Sequence, residues 1–94
     1  YNTAIFVHGC FWHRHSGCKY AYMPKSKVEF WQKKFEANVK RDSVVRMELQ
    51  DKDIKCLVVW ECTIKRMKKN QVDCEKYLKL AESFLEGNQT FLEI

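Results

Sequence analysis

The sequence predicts an α/β fold, with a small central sheet flanked by helices in one domain over residues 1–94. Three observations lead there. Cys56-Leu57-Val58-Val59-Trp60 is an unbroken apolar run between polar flanks, the pattern of a central strand buried on both faces. Val28, Trp31, Phe35 and Val39 recur at three- and four-residue intervals, and Cys74, Tyr77, Leu78, Ala81, Phe84 and Leu85 do the same, so each set marks a helix. A chain of 94 residues supports one thin core and not two.

Taken in order, Ala4-Ile5-Phe6-Val7 is short, apolar and partly β-branched, and reads as a strand. Residues 9–25 mix Cys, His, Trp, Tyr, Gly and Pro without a period, so they form a loop long enough to need an anchor. Ser26-Lys27-Val28-Glu29 reads as a capping box that starts the first helix at Ser26. A second helical stretch is expected from about Asp42 to Lys52, with Val45 and Leu49 inward. Thr63–Lys69 is short and basic. Asn70-Gln71-Val72-Asp73 reads as another helix start, Gly87 suits its stop, and Thr90–Ile94 is a candidate edge strand. The chain opens on a strand-like stretch without an initiator Met, and is expected to be a piece of a longer protein.

Composition is that of a folded domain: 46% hydrophobic and 31% charged, with few Gly and one Pro, which excludes a largely disordered chain. No apolar run approaches the roughly 20 residues of a membrane span, so no membrane partner is expected. The net charge of +5 suits a polyanion such as DNA. Lys25, Lys27, Lys33, Lys34, Lys40 and Arg41 make one basic cluster, and Lys65, Arg66, Lys68 and Lys69 a second. Charge alone is equally compatible with two solvated faces.

Cysteine and histidine carry the sharper signal. Five cysteines cannot all pair within the chain, and the histidines crowd beside two of them; this favours metal over disulfides and a reducing, cytoplasmic setting. Cys10-x4-His15-x2-Cys18 puts three soft or borderline ligands in the loop, and closed tetrahedral zinc sites take four. Cys62 is the best fourth, because it stands where the buried strand ends. Cys56 and Cys74 lie on apolar positions and read as core. The competing reading is buried thiols beside surface histidines. His8 and His13 are left over; each can be a general acid or base, or an ordinary surface side chain. Phe11 and Trp12 are adjacent loop aromatics, which read either as core or as a wedge that enters a base stack.

Phe6-Val7-His8-Gly9-Cys10-Phe11-Trp12-His13-Arg14-His15, then Glu29-Phe30-Trp31, Asn38-x2-Arg41-Asp42 and Val59-Trp60-Glu61-Cys62, occur in an order that resembles the very-short-patch repair endonucleases. The likeness runs from about residue 5 to residue 66. It implies a restriction-endonuclease-like fold, a structural zinc, and a magnesium-dependent nick beside the thymine of a T·G mismatch in double-stranded DNA by a monomeric enzyme. Cys10, His15, Cys18 and Cys62 fall on the family's zinc ligands and His8 and His13 on its active-site histidines. Phe11 and Trp12 fall on aromatics that wedge into the duplex, and Val7 where a backbone carbonyl helps hold the catalytic metal. Lys33, Lys34, Lys40, Arg41 and the Lys65–Lys69 cluster are expected to meet DNA phosphates, with an affinity that falls as salt rises. The sequence departs in three ways. The His15–Cys18 gap is one residue longer, Arg14 replaces a usual histidine, and the family's metal-binding aspartate lies on a strand before the residues quoted. Residues 1–28 contain no Asp or Glu, and the nearest candidates are Glu29, which the capping box explains, Asp42, which either pairs with Arg41 or braces His13, and Glu61 beside Cys62. The alternative is a zinc-stabilised DNA-binding module without catalysis.

Overall fold

The apolar run at 56–60 forms the middle strand of a three-stranded parallel sheet. The computed structural model describes residues 1–94 in the order β1 (Thr3–His8), α1 (Val28–Asp51), β2 (Lys55–Trp60), α2 (Glu61–Lys69), α3 (Gln71–Glu86) and β3 (Phe91–Glu93). Sheet order is β1-β2-β3. Thr3 pairs with Lys55 and His8 with Trp60 along the first ladder, and Cys56 pairs with Phe91 along the second. β2 is therefore buried on both sides, as its composition requires, while Ile5 and Val7 on the edge strand β1 stay exposed.

Alternation divides β2 between two faces. Cys56, Val58 and Trp60 join Cys10 in a buried cluster, against which Phe6, Leu49 of α1 and Phe91 pack. Leu57, on the opposite face, is 2% exposed. Lys55 shares that face, and its ammonium donates to the carbonyls of Phe84, Leu85 (3.2 Å) and Gly87 (3.0 Å). These are the orphan acceptors at the C-terminal end of α3, where a cation also meets the negative end of the helix dipole. At the other end of α3 the Asn70 side chain accepts from the N–H groups of Val72 (2.9 Å) and Asp73 (3.2 Å), the expected N-cap. Gly87 is the C-cap: its N–H donates to the Ser83 carbonyl (2.9 Å), and a Cβ there would lie 3.0 Å from that oxygen.

Three local expectations are corrected, and one segment left open by the sequence gains a structure. Helix α1 is one continuous helix over Val28–Asp51, not two with a break near Asp42. No Gly or Pro lies between Lys25 and Asp51 to break it. It starts at Val28 rather than Ser26, and no capping box forms. Lys27 takes the cap position at φ 55 without a side-chain cap bond. The inward stripe is not Val28 and Val39, which are 39% and 47% exposed. It runs through Trp31, Phe35, Asn38, Asp42, Val45 and Leu49, the residues of the helix interior that are buried or half-buried. Finally, the basic stretch after β2 is a helix, α2, beginning at Glu61.

The chain is flat, 44 × 36 × 15 Å with a radius of gyration of 15.0 Å. A close-packed chain of this length would have a radius near ~12 Å. Only eight of 94 residues are buried. So little apolar burial cannot anchor the loop over residues 9–25 by itself, and other forces hold it.

Candidate metal centre and active-site cleft

Parallel strands place their carboxyl ends, and the loops that leave them, along one edge of the sheet. Since His8 and Trp60 form a paired rung, Cys10 and Cys62 stand two residues beyond it on neighbouring chain segments. The loop after β1 then turns back. His13 N–H donates to the Gly9 carbonyl (3.0 Å), His15 N–H to Cys10 (3.1 Å), Cys18 N–H to His15 (3.3 Å) and Ala21 N–H to Cys18 (3.0 Å). The extra residue between His15 and Cys18 is taken up by a tight turn in which Gly17 has φ 71, a conformation that costs glycine little.

The result brings together all four expected ligands. The Sγ atoms of Cys10, Cys18 and Cys62 and a ring nitrogen of His15 lie within 4.8 Å of one another and could hold a metal ion. His15 Nδ1 is 3.6 Å from Cys10 Sγ and 3.5 Å from Cys62 Sγ. The imidazole is fixed by stacking on Trp60, with ring centres 4.2 Å apart and planes within 4°. Burial pushes the Cys10 thiol up to about 11, with the neighbouring Cys18 and Cys62 thiols adding to the rise. The backbone N–H of Tyr20 draws Cys18 below its ordinary value. Cys56 is buried in the core and Cys74 half-buried on α3, outside the cluster.

His8 and His13 meet on the other side of the loop. Their rings stack with centres 3.9 Å apart and planes within 4°. His13 Nδ1 is 2.7 Å from Asp42 Oδ2. His8 is held below the ordinary histidine value, first by burial and then by the neighbouring His13, against smaller upward pulls from Asp42 and Glu93. The His–His–Asp group faces a cleft of about 620 Å³, also lined by Arg41, Arg46 and Glu93. Parallel imidazole planes cannot aim their in-plane lone pairs at one ion, and Asp42 already engages His13. In this arrangement the group orients a histidine rather than chelating a cation.

α1 supplies this orientation through its polar interruption. Asn38 and Asp42 occupy inward positions, four residues apart, between Phe35 and Val45. Asn38 Nδ2 donates to the Trp12 carbonyl (3.1 Å) while Asp42 takes His13. Sequence reading gave neither a place on the inward stripe, although two polar residues on an apolar heptad stripe were the available signal. Arg14, assigned no role by sequence, bonds the carbonyls of Phe11 (3.1 Å), Tyr22 (3.1 Å) and Ala21 (2.8 Å) and lies 3.9 Å over the Phe35 ring. The aromatic pair divides. Phe11 is half-buried among Tyr22, Trp31 and Phe35, with ring centres 5.1–5.5 Å away, whereas Trp12 is 47% exposed. Lys33, Lys34, Lys40 and Arg41 are all exposed on α1, and of these Arg41 lines the cleft.

Comparison with known proteins gives the site a family context. The chain is 41% identical over 78 residues to the Type II nicking enzyme V.NmeAIP of Neisseria meningitidis, a match covering 83% of this chain and 52% of the relative. It is 41% identical over 69 residues to the DNA mismatch endonuclease Vsr of Escherichia coli K12, covering 73% and 44%. The chain is a homologue of the Vsr-type endonucleases. A third relative, the Type II nicking enzyme V.XorIIP of Xanthomonas oryzae pv. oryzae, is 43% identical over 60 residues, covering 64% and 43%. No protein-family model matches. The chain thus spans about half the length, or less, of the curated relatives it matches. No helix of this chain is long and apolar enough to cross a membrane.

Proposed function

We propose that this chain is the zinc-loop portion of a DNA mismatch endonuclease with a restriction-endonuclease-like fold, acting beside the thymine of a T·G pair in duplex DNA. The observation that carries this reading is the His13–Asp42 pair stacked with His8 in a cleft on the carboxyl edge of the sheet. A carboxylate on Nδ1 fixes the imidazole tautomer and leaves Nε2 to exchange a proton with the reacting phosphate or leaving oxygen. His8, kept neutral by burial, orients the phosphate. Trp12, the exposed ring of the pair, forms the wedge at the mismatch with Phe11 packed behind it, while Lys33, Lys34, Lys40 and Arg41 contact the backbone. The protein acts in the cytoplasm as a monomer.

The four-ligand cluster fits a structural zinc. With Zn–S near 2.3 Å and Zn–N near 2.05 Å, a tetrahedron has an N···S edge of about 3.6 Å. The observed 3.6 and 3.5 Å support that assignment. Bound there, the ion would tie the loop after β1 to the first turn of α2 and take no part in the reaction. Magnesium fits less well. It is a hard ion that prefers an oxygen shell, and of the two carboxylates that line the cleft Asp42 is spent on His13, which leaves Glu93 alone.

The test is a magnesium-supported nicking time course on T·G and T·A duplexes. The chain is expected to bind the T·G duplex selectively and to nick it poorly or not at all. A longer chain carrying the family's aspartate-bearing strand should cleave. Robust cleavage by the 94-residue chain that Glu61→Ala abolishes would relocate the metal-binding carboxylate. Equal binding of both duplexes would remove the mismatch reading.

A further inference from the structure

A second cleft, of about 820 Å³, is lined by the metal loop, α2 and α3 and is unlike the first. Five cations from three elements line it: Lys19 of the loop, Lys65, Arg66 and Lys69 of α2, and Lys76 of α3. Among these, Lys65 alone has a carboxylate partner, Glu61 at 3.9 Å, which is too long and exposed to neutralise it. Cations in the last turn of α2 suit its dipole. That does not account for Lys19 and Lys76, which arrive from elsewhere, nor for Lys65 and Lys69, a like-charge pair at i,i+4 that weakens the helix.

The side chains are also held in place. Tyr20, half-buried between loop and helix, has the ammoniums of Lys65 and Lys19 over its ring at 4.1 and 5.2 Å. Contact with the Tyr77 phenol favours the charged form of Arg66. A concave group of organised, uncompensated cations focuses positive potential and is stabilised when an anion enters. Since Tyr20 already carries ammoniums, the cleft suits a backbone of phosphates better than stacked bases. This cleft shares His15, Ser16, Trp60 and Glu93 with the His8–His13 cleft, so the two are continuous.

We propose that the second cleft seats the backbone phosphates of one arm of the DNA duplex, the arm that leads away from the His8–His13 site across the metal loop. The position of that arm rests on the endonuclease reading; the affinity of the cleft for duplex phosphates does not.

The experiment is fluorescence anisotropy on labelled duplexes with the full 94-residue chain, comparing wild type with Lys65→Gln/Lys69→Gln/Lys76→Gln over a salt series. The triple variant should bind at least about tenfold more weakly at low salt. Its plot of log affinity against log salt should be shallower by about two to three. Lys76→Gln alone should lower the slope by about one, which keeps the test open if the triple variant folds poorly, as its melting temperature and metal content would reveal. Trimming the duplex on one side of the mismatch should weaken wild type and leave the triple variant unaffected, whereas trimming the other side should weaken both alike. Wild-type affinity and slope in both variants would overturn the proposal. So would displacement of polyglutamate from the cleft with no change in the DNA slope, which would give the surface to an acidic polypeptide. If wild type shows no preference for T·G over T·A, the mismatch reading fails, while the slopes still decide whether the cleft holds phosphates.

Discussion

The two flanks of the loop over residues 9–25 are held by different physics. On the sheet side, Cys10, His15 and Cys18 approach Cys62 with little apolar surface of their own, and thiols pack there that a bound ion would join. On the α1 side, Phe11, Tyr22, Trp31 and Phe35 form an aromatic cluster, and Arg14 caps three loop carbonyls over the Phe35 ring. The second flank is held by rings and a guanidinium, and the first brings together four side chains that could hold an ion. His13 and Asp42 lie where the two meet. A thin domain can thus position the His13–Asp42 pair without a large core, between a cluster able to hold an ion on one flank and π-faces with a guanidinium on the other.

The contrast is broken most strongly at the metal. Cys62→Ser should abolish stoichiometric zinc, measured by elemental analysis of protein purified without added metal. It should free the loop on the sheet side, because metal binding in small domains is largely folding energy, on the order of 10 kcal/mol for a structural zinc. Hydrogen exchange should then rise at residues 10–20 while α1 stays protected. Unchanged zinc in this variant would exclude Cys62 as a ligand. Affinity should also fall as pH is lowered. Cys10, pushed up to about 11 in the metal-free chain, must give up a proton for the ion to bind, and that becomes harder in acid.

At the meeting point, Asp42→Asn should lower nicking by the longer enzyme by about 10²- to 10⁴-fold, since tautomer and charge support for His13 are lost together. Duplex affinity should hardly change. An equal loss of binding and turnover would make Asp42 a structural residue only.

Legibility from sequence follows the same division. The clustering of Cys10, His15, Cys18 and Cys62 was readable because soft side chains crowded at short spacing in a loop suit a metal better than they suit a core. β2 was readable because five consecutive apolar residues must be buried on both faces. Asn70 was readable as a cap because its chemistry is local. Asp42 was half readable: a brace for His13, 29 residues earlier in the chain, was one of its two alternatives and is the contact found. A polar residue on an apolar stripe also looks like a break between helices, and there is none. Lys55 and Arg14 carry no local signal either. Their partners are backbone carbonyls, which every residue offers, and which of these come within reach depends on the finished fold.

The aromatic flank should respond in stability and leave the metal alone. Phe11→Ala should cost about 2–4 kcal/mol, as for a packed aromatic, and Arg14→Gln about 1–3 kcal/mol through unpaired carbonyls and the lost contact with Phe35. Both are read by urea unfolding with zinc content unchanged. Trp12→Ala, at an exposed ring, should cost under about 1 kcal/mol and instead reduce discrimination between T·G and T·A duplexes. Loss of zinc in Arg14→Gln would mean that the two flanks are one cooperative unit.

The smallest effect is expected where the loop leaves for α1. Ser26 and Glu29 have the spacing of a capping box, yet the helix begins at Val28, with Lys27 in the left-handed region and no side chain on the free N–H groups. Asn70 at the start of α3 is the internal control, since its side chain makes both cap bonds. Asn70→Ala should therefore lower stability by about 1 kcal/mol, and Ser26→Ala by no more than a few tenths. The same urea series measures both. A loss at Ser26 as large as that at Asn70 would mean that the box forms in solution and that α1 starts two residues earlier. The α1 flank would then be pinned by a cap as well as by Arg14 and the aromatic rings.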